Sequence, residues 1–389
     1  MISVSDALSQ LLSLVSRLES EDIPLEEAAG RALARDVQAT RDQPPFASSA
    51  MDGYAVRADE AEQHAMFKVI GEAAAGHGFA GHVGAGQAVR IFTGAPVPEG
   101  AGQVVIQEDV TRSGGLITLT NPPGPGTHIR PRGGDFSAGD TVPAPRRLTP
   151  ADIALLAAMN IASVPVTRRP EVALISTGDE LVMPGGNPGP DQIIASNTFG
   201  LKTLLADLGA RARILPIARD TEPALRAAFA LAEGADLVVT IGGASVGDHD
   251  LVGKVAQDIG MERSFYKVAM RPGKPLMAGR LSGAAMVGLP GNPVSAMVCG
   301  HIFLAPMIRT MLGLPAVEAP LTAPLAAPLG PNGPRAHYMR AKLDADGLTA
   351  FDNQDSSLLT VLAAAQALLI RPPNDGPRQT GEPMQYIPL

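Results

Sequence analysis

The stretch Asp236-Leu-Val-Val-Thr-Ile-Gly-Gly-Ala-Ser-Val-Gly-Asp-His-Asp250 decides how this chain folds. Its first half is an apolar, β-branched run bounded by glycine, the pattern of a buried strand. Gly242, Gly243 and Gly247 then let the backbone turn sharply and bring N–H groups close to a ligand. Ser245 adds a hydroxyl, and a helix opening behind the loop favours a negative group. Asp248 and Asp250 offer the hard oxygens that magnesium prefers. A phosphate on a metal beside a carboxylate is the natural occupant. The pattern is neither GxGxxG nor a Walker loop, because no Lys-Ser/Thr pair follows the last glycine. Taken alone, it also fits a plain turn into an aspartate-capped helix.

Two further apolar runs end in unusual loops. Glu171-Val-Ala-Leu-Ile-Ser176 leads into Thr177-Gly-Asp-Glu-Leu181, and Ala285-Met-Val-Gly-Leu-Pro290 leads into Gly291-Asn-Pro-Val-Ser-Ala296. A long apolar helix begins at the second loop, with Asn292 as its cap and Pro293 in the first turn. Helical patterns cover Asn197 to Leu208 and Thr221 to Glu233. Strand–helix alternation of this kind predicts a doubly wound α/β domain, a parallel sheet with helices on both faces. Ligands of such sheets sit outside the carboxyl ends of the strands, so the three loops should line one crevice.

At 389 residues the chain exceeds one ordinary core and should form two to four domains. Apolar residues make up 45% and aromatics 4%, with no tryptophan, 42 glycines and 35 prolines. That mix favours turns and small β modules over a helical bundle. A net charge of −8 excludes attraction to nucleic acid or anionic membrane, so an anionic substrate needs a local basic patch. Cys299, the one cysteine, rules out an internal disulfide framework and reads as a buried core thiol. With no leader pattern and no apolar run of about 18 residues, no membrane span is expected and the cytoplasm is the expected compartment.

Amphipathic spacing predicts helices over residues 3–18, Ile23 to Asp36 and Leu148 to Asn160. Residues 41–138 hold short apolar runs between glycines (Phe67 to Gly71, Gln87 to Phe92, Gln103 to Gln107, Leu116 to Leu119), the composition of a β-rich domain. Prolines 315, 320, 324, 328, 331 and 334 mark a linker or edge strands, and short strand-like runs beyond them suit a β-barrel.

Several motifs carry chemistry beside an ordinary structural reading. Asp52 precedes a glycine in Ser48-Ser-Ala-Met-Asp-Gly-Tyr-Ala55, and Thr93 lies in Ile91-Phe-Thr-Gly-Ala-Pro-Val-Pro98; both also read as turns. Ile129-Arg-Pro-Arg-Gly-Gly-Asp135 suits an oxyanion or a solvated turn. In Phe265-Tyr-Lys-Val-Ala-Met-Arg-Pro-Gly-Lys-Pro275, the cations Lys267, Arg271 and Lys274 can face a tetrahedral anion or solvent. No histidines pair at zinc-ligand spacing, and no Ser-His-Asp or GxSxG arrangement appears. The acids Asp179, Glu180, Asp220, Asp248 and Asp250 suit magnesium with phosphates as co-ligands.

Ser49-Ala-Met-Asp-Gly-Tyr-Ala55, Thr93-Gly-Ala-Pro-Val-Pro98, Ser176-Thr-Gly-Asp-Glu-Leu181, Gly242-Gly-Ala-Ser-Val-Gly247 with Asp250, Arg271-Pro-Gly-Lys-Pro275 and Leu289-Pro-Gly-Asn-Pro-Val-Ser-Ala296 occur in this order. That order resembles the MoeA-type molybdopterin molybdenumtransferases, related to the gephyrin E domain, along the whole chain. The resemblance implies a discontinuous linker domain (1–40 with 139–168), a β-rich domain (41–138), a molybdopterin-binding α/β domain (169–314) and a C-terminal β-barrel (315–389). It implies insertion of molybdate into adenylylated molybdopterin with release of AMP, helped by Mg2+. It further implies a homodimer with a shared active site and contacts with other cofactor-biosynthesis proteins. Carried over by position, Asp52, Asp135, Glu180, Asp220 and Asp250 are the catalytic candidates, the last three also metal ligands. Thr93, Ser176, Thr177, Gly242, Gly243, Ser245, Gly247, Lys267, Arg271, Lys274, Pro290, Gly291, Asn292, Arg340 and Ser356 are the substrate-binding candidates. Arg271 stands where some members have lysine, Ala195 where a polar residue is common, and Asp355 where glycine is usual. The rival readings are a non-catalytic molybdopterin carrier or scaffold, and a molybdopterin adenylyltransferase.

Overall fold

The computed structural model describes residues 1–243 and 251–389, so Ser245, Gly247, Asp248, His249 and Asp250 lie outside the described residues. The chain divides into two compact units, one of residues 1–21, 30–34 and 166–389, the other of residues 22–29 and 35–165.

The first unit is built on a six-stranded sheet. In chain order its strands are β1 (Glu171–Ser176), β2 (Arg211–Ile214), β3 (Leu237–Ile241), β4 (Glu262–Tyr266), β5 (Met277–Leu281) and β6 (Ala284–Leu289). Their spatial order is β2-β1-β3-β6-β5-β4. The first four in that order run parallel, whereas β5 and β4 add an antiparallel edge. The sheet is therefore mixed where a parallel one was expected. The cause is the Ser282-Gly283 turn, whose two positive φ values (50° and 89°) make a tight hairpin between β5 and β6.

Both faces of the sheet are covered. Helices α1 (Asn197–Asp207) and α4 (Pro293–Cys299) share a core with Val172, Leu174, Val239 and Val287. Helices α2 (Glu222–Leu231) and α3 (Leu251–Asp258) share the opposite core with Ala173, Ile175, Val238 and Met286. Alternate residues of one strand feed opposite cores, which is why these strands read as continuous apolar runs and not as alternating ones. The α4 helix continues through a π turn (Gly300–Leu304) into Ala305–Met311. Residues Pro293–Met311 are long and apolar enough to cross a membrane, contrary to the expectation that no such run exists. The most apolar window is 72% buried, so its apolar surface is spent in the core.

At the chain start, Val4–Ser13 forms the expected amphipathic helix, capped reciprocally by Ser3 and Asp6. Residues Ile23 to Asp36 are not helical. They form a strand (Ser20–Pro24), one 3-10 turn (Leu25–Glu27) and a short strand (Ala32–Leu33). Pro24 has no N–H to give a helix, and Gly30 at φ 74° turns the chain the other way.

The C-terminal strands close into a barrel. Ala336–Asp344, Ala367–Arg371, Pro383–Pro388 and Leu321–Pro324 pair in that order. Gly347–Ala350 pairs with the first, and a bridge between Leu325 and Leu348 completes the ring. Met270–Arg271 adds a parallel strand to Ala336 and His337.

The second unit holds a six-stranded sheet ordered Gln103–Ile106, Gly53–Val56, Gln87–Ile91, Met66–Ala73, Leu116–Leu119, Val110–Ser113. Tyr54, Val56 and Phe67 face one core, and Ala55, Val89 and Val104 the other. Pro150–Ala158 is helical as predicted. The sequence segments 1–40 and 139–168 meet where Val37–Gln38 pairs antiparallel with Thr141–Val142.

One ion pair pins the base of the α/β sheet. Arg168 donates two hydrogen bonds of 2.7 Å to Asp236, which also accepts from the Glu171 N–H at 2.8 Å. Burial pushes the Asp236 carboxyl up, but the Arg168 and Glu171 hydrogen bonds and the Arg168 charge outweigh it and leave it below its ordinary value. Its stabilisation is therefore complete above the unfolded pKa near ~4 and is lost as pH falls through the lower folded value. Asp236→Asn should cost about 2 kcal/mol at pH 7. In urea titrations at pH 7 and pH 3, the variant should lose less stability on acidification than wild type; equal losses would contradict the role of this pair.

Candidate functional site

The sheet order places β2 and β3 on opposite sides of β1, so the chain reverses direction between β1 and β3. That is the switch point at which open α/β sheets hold ligands. A cavity of about 670 Å³ opens there. Ser176, Thr177, Glu180, Asp220, Gly242, Gly243, Pro290, Gly291 and Asn292 all line it, as the sequence predicted.

The floor is close-packed backbone. Thr177 N–H donates to Ile241 O (3.0 Å), and Gly242 N–H donates to Leu289 O (3.1 Å). Gly242 (φ 97°) and Gly243 (φ 65°) adopt left-handed conformations. A Cβ at Gly242 would lie 2.6 Å from Thr177 O, and one at Gly243 would lie 2.3 Å from a Val252 methyl. The Thr177 side chain is 3% exposed, and its hydroxyl has no partner among the described residues. A buried hydroxyl left so is costly unless a ligand or water takes it up.

One wall comes from the β6–α4 turn. Asn197 Nδ2 donates to Gly291 O (2.7 Å) and fixes the turn. Asn292 occupies the N-cap position with Pro293 in the first turn, but its side chain makes no cap hydrogen bond. Its Nδ2 donates instead to Ser356 Oγ at 2.9 Å, and Val294 N–H donates to Ser356 O at 3.1 Å. The barrel segment is thereby tied to the start of α4.

The opposite rim is acidic. Asp220 N–H donates to Asp179 Oδ1 (3.2 Å), and Arg219 donates to Asp179 O (2.7 Å). Burial, followed by the charges of Asp179 and Glu180, raises the Asp220 pKa above its ordinary value. Like charges crowded in this way favour a bound cation.

The predicted residues Lys267, Arg271, Lys274, Arg340 and Ser356 do not line the cavity. Lys267 (φ 72°) sets its ammonium 5.2 Å from the Tyr266 ring centre. Arg271 and Lys274 are exposed. Arg340 is fully buried. Its Nη1 donates to Asp355 O (2.8 Å) and its Nε to Gln354 Oε1 (3.2 Å), while Nη2 has no partner among the described residues. Burial lowers the Arg340 pKa, and Arg271 adds to the effect, although the Asp355 charge opposes it. His337, which the sequence reading did not single out, pairs in the sheet with Arg271 and Arg371. Burial and the charges of Arg271, Arg340, Arg371 and Arg335 push its imidazole down to about 4, so it is neutral at physiological pH.

Asp52, Thr93 and Asp135 belong to the second unit. Thr93 donates both its N–H and its hydroxyl to Asp52 Oδ1, each at 2.8 Å. These bonds hold the Asp52 carboxyl below its ordinary range, with a smaller contribution from Arg90. Asp135 is exposed, and its N–H donates to Gln43 O (2.9 Å). Crevice residues that the sequence does not mark as site residues include Ile193, Ile194, Ser196 and Ser357. Leu181–Val182 pairs with Ile193–Ile194 across a ten-residue excursion, and periodicity cannot find two-residue strands so separated.

A switch-point crevice with a glycine floor and an acidic rim marks the ligand site of an open α/β domain, and the family comparisons narrow the class. Residues 2–160 match the MoeA N-terminal region (domain I and II), 173–310 a probable molybdopterin binding domain, and 322–389 the MoeA C-terminal region (domain IV). The chain is 40% identical to the molybdopterin molybdenumtransferase of Haemophilus influenzae over 80% of this chain and 78% of that one. It is 36% identical to that of Nostoc sp. over 96% and 90%. A crystal structure of a molybdopterin biosynthesis MoeA protein from Pyrococcus horikoshii, 26% identical, superposes with a TM-score of 0.87 over 100% of both chains. The chain belongs to the MoeA family.

The geometry predicts opposite stability effects for two floor residues. Thr177→Val removes an unpartnered hydroxyl and should leave the unfolding free energy unchanged or raise it by up to about 1 kcal/mol. Gly243→Ala should lower it by about 1–3 kcal/mol. Urea denaturation checks both, and a clear loss in Thr177→Val would mean that the hydroxyl has a protein partner.

Proposed function

We propose that this protein inserts molybdenum from molybdate into adenylylated molybdopterin at the β1/β3 crevice, releasing AMP and molybdenum cofactor. One observation supports the reading: a glycine floor and crowded carboxylates line a single switch-point crevice. Names of relatives and the family match support molybdenum cofactor biosynthesis in general; the adenylylated substrate and AMP release are the step beyond them.

In this scheme the Gly242-Gly243 floor, with Thr177 and the Gly291-Asn292 turn, binds the phosphates of the substrate through N–H and O–H donors. Lys267 and Arg271, with Arg340 and Ser356, hold the tetrahedral molybdate, and Lys274 adds positive charge to the same loop. Ser176 supports the floor from within the sheet.

Mg2+ fits the acidic rim by the chemistry of its donors. The Asp220 carboxyl is already perturbed by its acidic neighbours, and magnesium ordinarily takes one or two carboxylates beside phosphate oxygens and waters. Among the described residues no three His, Cys, Asp or Glu side chains form a complete cage. Asp220 and Glu180 would hold the ion, with Asp250 as a further ligand from outside the described residues. Bound there, it would neutralise charge on the phosphoanhydride. The chain's own part is positioning and charge compensation, with no covalent enzyme intermediate.

We further propose that the protein works as a homodimer. In it, Asp52, oriented by Thr93, and Asp135 complete the crevice of a second copy. The paired Thr93 bonds to Asp52 keep a carboxylate ionised and aimed, which is more than a surface turn requires.

Incubation with adenylylated molybdopterin, magnesium and molybdate should yield AMP and a product that reconstitutes an apo-molybdoenzyme. Asp220→Asn should lower AMP release roughly 100-fold while unfolding stays close to wild type. Tight pterin binding with no AMP from wild type would leave a carrier in place of an enzyme.

A further inference from the structure

Asp355 and Ser357 give the crevice a hydrogen-bonding preference that neither the motifs nor the family match specify. Ser357 lines the cavity and is exposed within it. Its N–H and its hydroxyl both donate to Asp355 Oδ1, at 2.8 and 2.6 Å. Those bonds, with the Arg340 charge, hold the Asp355 carboxyl below its ordinary range, so it is an ionised, acceptor-only group. The single hydroxyl hydrogen of Ser357 is therefore committed to Asp355, and the oxygen turns only lone pairs toward a ligand.

Ser356, one residue earlier, is wired the other way. It accepts from Asn292 Nδ2 at 2.9 Å, which leaves its own hydrogen free to donate. The segment cannot easily turn to exchange these roles. Asp355 N–H is held by Asn353 (3.0 Å), Asp355 O by Arg340 (2.8 Å), and Ser356 O by Val294 N–H (3.1 Å).

We propose that Ser357 is a ligand-contacting, specificity-determining residue that accepts a hydrogen bond from an N–H of a fused nitrogen heterocycle, with Asp355 as the positioning residue that makes it acceptor-only. Ser356 then serves the oxyanion side and Ser357 the heterocycle side of one ligand. The inference rests on the molybdenum-insertion reading for the identity of that ligand, whose two candidate heterocycles are the pterin and the adenine.

The test is equilibrium binding of molybdopterin, AMP and molybdate, each alone, to the full-length protein. Ser357→Ala should weaken molybdopterin or AMP about fivefold and leave molybdate unchanged; which of the two weakens identifies the heterocycle. Asp355→Ala, which releases the Ser357 hydroxyl from its fixed orientation, should weaken the same ligand. Asp355→Asn, which keeps the Oδ1 acceptor, should restore it. Wild-type affinities for all three ligands in Ser357→Ala, or a loss confined to molybdate, would overturn the proposal. AMP release by wild type, measured in parallel, reports on insertion separately. If it is absent while the Ser357→Ala effect persists, the acceptor stands and the insertion reading falls.

Discussion

The structure depends on the parallel register between Glu171–Ser176 and Leu237–Ile241, which sets Ser176 opposite Ile241. Because the two strands end level, the loops that leave them meet at once, and Thr177 and Gly242 pack backbone to backbone. A slip of one residue would exchange the two apolar cores and turn Thr177 away from the crevice. The Arg168–Asp236 pair secures the other end of the same ladder, far along the strands from the chemistry. The base of the sheet is thus fixed by charge, and its top is left with an open floor and a buried hydroxyl without a protein partner.

Charge is distributed economically in this acidic chain. The cations that would meet an anion are gathered on a short loop and on one barrel strand, and the carboxylates that would meet a metal lie on the β1 loop and at Asp220. Neither set is neutralised by the other in the described structure. Both Asp220 and Arg340 are shifted toward their neutral forms, an unfavourable state that a bound anion and cation would relieve. Such perturbed groups concentrate at functional sites because stability alone would select against them.

Much of this was legible in the sequence. β1, β3 and β6 are continuous apolar runs because both faces are buried, and each ends in a glycine-bearing loop; eight of the predicted site residues lie on the crevice for that reason. The antiparallel edge was not seen, since Met277–Leu281 carries a glycine and an arginine and its hairpin rests on Ser282 adopting a positive φ. The helical periodicity of Ile23 to Asp36 is overridden by Pro24, which lacks the N–H, and by Gly30 with its positive φ. Asn292 looked like a helix cap, yet tertiary structure redirected its side chain to Ser356, a partner 64 residues away. His337 carries no local signal, because its state follows from arginines brought near by the barrel, whereas Ser357 is held by a carboxylate only two residues before it. Asp355, a departure from the glycine usual at that place, supplies through its side chain the restraint on Ser357.

The two-residue strand Met270–Arg271 lies in sequence within the α/β region but hydrogen-bonds to the barrel strand at Ala336 and His337. A boundary near residue 314 is therefore a boundary of sequence and not of mechanics. The barrel could not be exchanged for another module without also carrying over the loop that presents Arg271. Any hinge between the two would tear a sheet, so the backbone positions of Arg271 and Arg340 are carried by one ladder. Evolution can lengthen the linker that follows Leu312, but it can alter the spacing of the two backbone positions only by rebuilding the ladder itself.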